Sequence, residues 1–135
     1  MLTILDLNAE MGKLKMLRGR TPETPEADRE GAFARLAPYR DSAINAAKFS
    51  GEGPWERHIN GDEIVQVVDG AVTFHVMTED GRQSHALKAG MVVIVPQGAA
   101  GSSQIKSGHD NFELRKGRGA YPTASMADFP GQPCA

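Results

Sequence analysis

The sequence predicts an all-β fold, a small antiparallel β-barrel or jelly roll preceded by one short helix, and three observations carry that expectation. Short apolar runs rich in β-branched residues recur at roughly 8 to 12 residue spacing, the pattern of a sandwich or barrel. Turn-forming groups punctuate them: Gly61-Asp62, Asp69-Gly70, Glu79-Asp80-Gly81, Ala89-Gly90 and Pro96-Gln97-Gly98. No helix-length segment separates these runs, so the crossovers of a parallel α/β sheet have nothing to be built from.

Taken in order, Leu7, Met11, Leu14 and Leu17 fall at i, i+4, i+7 and i+10. That stripe predicts an amphipathic helix with Asp6 or Asn8 as N-cap and Gly19 as its stop. Its Lys13, Lys15, Arg18 and Arg20 read as a solvated basic face. Thr21 to Gly31 is too rich in Pro and Glu to bury a face and reads as an extended connector. From Ala32 the period changes to two, through Phe33, Arg35 and Ala37 and again through Ile44, Ala46 and Lys48. Glu63 to Val68, Ala71 to Met77, Arg82 to Leu87 and Met91 to Val95 follow as strands. Ser102 to Ile105 and Phe112 to Leu114 suit short strands, whereas Lys116 onward lacks periodicity. The expected organisation is a helix and arm over 1–31, a β-barrel over 32–116 and a weakly structured tail over 117–135, with a diverged C-terminal third that could leave the barrel open at one edge.

A chain of 135 residues fits one domain. Its 15 basic and 17 acidic residues give a formal charge of −2, which argues against nucleic acid and against an anionic membrane as partners. The longest continuous apolar stretch, Met91 to Val95, falls far short of the roughly 20 residues a membrane span needs. The single cysteine, Cys134, permits no intrachain disulfide and makes a Cys-His nucleophile an unsuitable reading. A cytoplasmic protein is expected. The phosphate-binding glycine loops, the G-x-S-x-G elbow and the H-E-x-x-H zinc motif are all absent from the sequence.

The polar residues with chemistry lie in the β region. If Glu63 faces the interior, so do Val65 and Val67, placing one carboxyl group above an apolar floor. Glu56 and His58 are two apart and project to one face of their strand, so three potential ligands converge in one cavity. The bland readings stand beside this: Glu56, Arg57 and Asp62 as surface ion pairs, and His58 with Glu63 as a hydrogen-bonded pair ordering the barrel mouth. Trp55 reads as a packing residue at the rim. His75 has the opposite parity to Val72, Phe74 and Val76 and is expected on the other face of its strand, reaching solvent or a subunit interface, and His85 is expected to be structural.

Two spacings then stand out: Gly53-Pro54-Trp55-Glu56-Arg57-His58, four residues, Glu63, six residues, Gly70; and Gly90, five residues, Pro96-Gln97-Gly98. The stretch from Ala43 to Gly101 resembles the cupin superfamily, whose motifs read G-x5-H-x-H-x3-4-E-x6-G and G-x5-P-x-G-x2-H-x3-N. The resemblance implies a small single-domain jelly roll in which metal ligands come from both motifs. Here His58 takes the second histidine position and Glu63 the glutamate, while Glu56 stands at the first histidine position. Gly101 and Ile105 fall where the second motif has histidine and asparagine, so that motif is degenerate.

What the resemblance implies for function is a small molecule bound in the barrel beside an incomplete metal site of Glu56, His58 and Glu63. Mn, Fe, Ni or Zn are the ions expected if one is held, with Gln104 or His109 as a substitute ligand, and no organic cofactor is expected. A metal-dependent oxygenase or isomerase is the alternative, and a non-catalytic interaction module the third reading. A homodimer is expected, because such sheets pair by edges or faces.

Overall fold

A computed structural model describes residues 2–40, 42–59, 61–105, 112–118 and 123–124, with side chains described as far as Ile105. A single short helix, α1 (Leu7–Gly12), opens the chain, and eleven strands follow among the described residues: β1 (Leu17–Arg20), β2 (Phe33–Tyr39), β3 (Ser42–Glu52), β4 (Trp55–Arg57), β5 (Glu63–Asp69), β6 (Ala71–Thr78), β7 (Gly81–Lys88), β8 (Val92–Val95), β9 (Ala100–Ile105), β10 (Phe112–Arg118) and β11 (Thr123–Ala124). They form two curled layers. One runs β2-β3-β10-β5-β8 and the other β11-β4-β9-β6-β7, each with antiparallel pairings. The long β3 joins them, since its end crosses over so that Gly51 and Glu52 pair with Ile105 and Gln104 of β9.

The two inner faces bury one apolar interior. Ala47, Phe49, Val67, Val72 and Ile105 make one cluster, and Val65, Phe74 and Val95 make a second. Phe49, Phe74, Val65, Val67 and Ile105 are 0–1 % exposed. Burying each such side chain stabilises the fold by about 1.5–3 kcal/mol. The alternation in β5 follows the expectation: Glu63, Val65 and Val67 are buried, while Ile64, Gln66 and Val68 are only partly so.

Four expectations change. The helix ends at Gly12, not Gly19, and Leu17 begins a strand that runs parallel to β3 and packs on the Phe49 cluster. The Asp6 cap holds, with the Ala9 amide donating to Asp6 Oδ1 at 3.1 Å. Arg20 is not on a solvated face: it is 4 % exposed, its guanidinium carbon 4.7 Å from the ring centres of both Phe33 and Phe49. The connector is not wholly extended, since Glu26–Arg29 forms one 3-10 turn. Finally, the strands after Gly98 are not marginal. Phe112–Arg118 pairs on one side with β3 and, over Phe112–Lys116, on the other with β5, and Ala100–Ile105 lies between β6 and the β3–β4 side. Of the expected weak tail, Gly117 and Arg118 therefore continue a strand, Thr123–Ala124 pairs with β4, and the rest lies outside the described residues.

Candidate metal centre

Glu56 sits on β4 opposite Gly101 of β9, and Gly101 faces the interior, because a Cβ built there would lie 2.8 Å from Cζ of the buried Phe74. Glu63 opens β5 opposite Val95 of β8. His58 lies just past β4, in the loop that leads to β5. That loop is held by the turn after β8: the Gly98 amide donates to the His58 carbonyl at 2.8 Å, the Gln97 amide to Asp62 Oδ1 at 2.9 Å, and the Gln97 side-chain amide to the Ile59 carbonyl at 2.6 Å. The roles of Gln97 and Asp62 in clamping the loop were missed by sequence reasoning. Pro96-Gln97-Gly98 signals only a turn, and nothing in one sequence tells which distant loop the turn will touch.

The three residues do converge. His58 Nε2–H donates to Glu63 Oε2 at 2.7 Å and lies 3.9 Å from Glu56 Oε2. His58 and Glu63 are 2 % and 4 % exposed, and the Glu56 side chain is 18 % exposed, so the group is closed at its base and reaches solvent on the Glu56 side. Both the strand alternation and the loop clamp are needed to bring them together, because His58 itself is off the strand.

One ligand atom from each residue lies within 4.8 Å of the other two. Donors about 2.1 Å from a common ion stand roughly 3 to 4 Å apart, a range that holds the 3.9 Å His58–Glu56 separation, whereas the 2.7 Å His58–Glu63 pair must open and His58 Nε2 must give up its proton to admit an ion. Two carboxylates and a neutral imidazole supply two negative charges, which balance a divalent cation and suit Mn²⁺, Fe²⁺ or Zn²⁺. The residues present thus fit a divalent metal. Among the described residues no fourth protein donor joins them. Gln104 does not turn inward: its Oε1 lies 3.1 Å from His75 Nε2 on the other face of the sheet. His109 lies outside the described residues.

His75 lies on the outer face, as its parity predicts, yet it is only 6 % exposed. Its Nδ1 accepts from the Ser84 hydroxyl at 2.7 Å, its Nε2–H donates to Gln104, and an Arg82 guanidinium nitrogen lies 3.2 Å from both ring nitrogens. Trp55 packs beside it with ring centres 6.3 Å apart. Burial above all, and the Arg82 charge with it, hold the imidazole below the usual histidine range, while the Gln104 hydrogen bond and the Glu52 carboxylate oppose this. His85 is exposed.

No protein-family model matches the sequence, and no curated protein matches it. Solved structures do. A cupin-2 domain protein from Shewanella frigidimarina is similar with a TM-score of 0.60 at 18 % identity, over 85 % of this chain and 95 % of that one. A hydroquinone 1,2-dioxygenase, determined with Cd²⁺ and 4-hydroxybenzonitrile, gives 0.54 at 17 % over 64 % and 63 %. A putative mannose-6-phosphate isomerase from Ralstonia eutropha gives 0.54 at 18 % over 65 % and 83 %. At such identities the likeness is one of fold.

Proposed function

We propose that this chain, whose fold is that of the cupins, binds a small molecule at a divalent metal centre held by Glu56, His58 and Glu63. The observation that carries this reading is the convergence of one histidine and two carboxylates within 4.8 Å, two of the three buried. Burying a carboxyl group costs free energy unless it is compensated, and a cation that recruits all three side chains compensates it. A bound ion would supply Lewis acidity to an oxygen or nitrogen donor of the ligand. The chain's own residues do the rest. Glu63 and His58 fix the inner side, the Gln97 clamp holds the His58 loop, and Phe74, Val65 and Val95 line an apolar base that excludes water. A ligand then enters from the Glu56 side.

A catalytic reading, as a metal-dependent oxygenase or isomerase, is favoured by that same open side, and similar folds include a dioxygenase and a putative isomerase. Fold likeness alone does not carry a reaction across. The two readings share one test. Chelator-stripped protein titrated with Mn²⁺, Fe²⁺, Ni²⁺ or Zn²⁺ should show a rising melting temperature, by the linkage of binding to folding. Glu63→Gln and His58→Gln should abolish the rise. Indifference of the melting temperature to all four ions would overturn the proposal. Oxygen consumption by the loaded protein with hydroquinones would then favour the catalytic reading.

A further inference from the structure

We propose that Arg82, Ser84 and His75, on the outer face of the β7-β6-β9-β4 layer, form a second binding site that takes the oxyanion group of a small ligand, a carboxylate or a phosphate. Strand alternation puts this site on the opposite side of the sheet from Glu56. Gly101 faces the interior, and its neighbour Ser102, paired with His75, faces outward with Gln104.

Four features make the cluster more than a surface patch. Arg82 is half-buried, and among the described residues no carboxylate lies within ion-pair distance of its guanidinium, although 17 acidic residues are available in the chain. It is held in place all the same, its guanidinium carbon 6.0 Å from the Trp55 ring centre and one nitrogen 3.2 Å from both nitrogens of His75. A planar cation positioned in advance is suited to carboxylate or phosphate, since little side-chain entropy remains to be lost on binding. Ser84 is exposed and carries a hydroxyl donor two residues along the same face, and that hydroxyl already reaches His75 Nδ1 at 2.7 Å.

The fourth feature is the proton balance. His75 is faced by Arg82 and Ser84 from β7, by Gln104 from β9, by Glu52 from β3 and by Trp55 from β4. Burial is the first cause that disfavours imidazole protonation; Arg82 is the cation that adds to it, and Glu52 a carboxylate that opposes it. An oxyanion seated between Arg82 and Ser84 cancels that cation. The proton affinity of His75 then rises, and a proton gained at Nδ1 turns the Ser84 hydrogen bond round and frees the Ser84 hydroxyl to donate to the oxyanion, so binding should take up protons and tighten as pH falls.

The test is calorimetric titration with inorganic phosphate and, separately, with acetate, at about pH 6 and about pH 8, in buffers of different ionisation enthalpy so that proton uptake is read directly. One probe or both should bind more tightly at the lower pH with proton uptake, and the probe that binds better names the group. Arg82→Gln should weaken binding at least about tenfold, as expected for losing a charged hydrogen-bond partner. Ser84→Ala should weaken it less, and His75→Gln should abolish the proton uptake while leaving residual affinity. Arg35→Gln, an exposed arginine on β2, should change nothing. Absence of binding by both probes, or equal loss in Arg82→Gln and Arg35→Gln, or undiminished proton uptake in His75→Gln, would overturn the proposal. Melting curves of each variant separate loss of the site from loss of the fold.

Discussion

At the scale of single residues, Phe74 and Gly101 decide how many protein donors the metal centre has. A side chain at Gly101 would start 2.8 Å from Phe74 Cζ, closer than real Cβ contacts, so the position opposite Glu56 is filled by the phenyl ring. Gly101→His is therefore expected to destabilise the protein by about 1–3 kcal/mol through overpacking and to add no ligand. Gly101→His combined with Phe74→Ala gives the imidazole room, and metal affinity should rise above that of the unaltered chain. Denaturant melts and metal titrations of both variants check this. An undiminished stability in the single variant would contradict the packing described. His75 supports a second expectation. Its imidazole is held below the usual histidine range, so the unfolded chain binds the proton more readily. The associated stability is present above the unfolded value and is lost as pH falls through the folded one. Between about pH 7.5 and about pH 5 the melting temperature should fall more steeply in the unaltered chain than in His75→Gln.

At the scale of elements, β1 shows how a periodic pattern can mislead. Leu7, Met11, Leu14 and Leu17 share a helical stripe, yet a helix over 7–18 would have no sheet surface reserved for it, whereas β1 covers the edge of β3 and brings Leu17 onto the Phe49 cluster. Backbone pairing won over local propensity, a competition that one sequence does not reveal. The parallel approach depends on Gly51, which has φ of +105° and whose absent Cβ would lie 2.2 Å from the Arg20 carbonyl oxygen. Gly51→Ala should cost more than about 2 kcal/mol, from left-handed strain together with a backbone clash, and should release β1. Loss of hydrogen-exchange protection confined to Leu17–Arg20 and the facing part of β3 would be its signature. Exchange unchanged there would refute the role given to Gly51. The same limit applies at the C-terminal strands. Phe112–Arg118 pairs along its length with β3, and as far as Lys116 with β5, although Lys116, Gly117 and Arg118 have no apolar alternation. Backbone hydrogen bonds hold such a strand when its neighbours already supply paired edges, and hydropathy does not register that.

At the scale of the whole molecule, the β class, the strands from Glu63 to Val95 and the glycine turns were legible because period-two alternation and turn chemistry are local signals. The grouping of Glu56, His58 and Glu63 was legible in part, through parity and the cupin resemblance. What remained hidden was non-local: Gln97 and Asp62 clamping the His58 loop, Arg20 buried against two phenyl rings, and Gln104 turned outward to His75. Each depends on which strands become neighbours across the sheet. The two layers thus separate two chemistries, a carboxylate-rich group within the barrel and a guanidinium and imidazole group outside it. A homodimer formed through edges or faces remains a proposal, and sedimentation velocity at two protein concentrations reads it directly.

The central claim is that Glu56, His58 and Glu63 hold a divalent ion together. Elemental mass spectrometry of the protein, purified without chelator or immobilised metal, tests it most directly when His58→Ala, Glu63→Ala and Glu56→Ala are measured beside it. The account predicts close to one Mn, Fe, Ni or Zn per chain, lost in the His58 and Glu63 variants and reduced in the Glu56 variant, while each remains folded. Metal far below one per chain, or metal retained equally in all three variants, would contradict it.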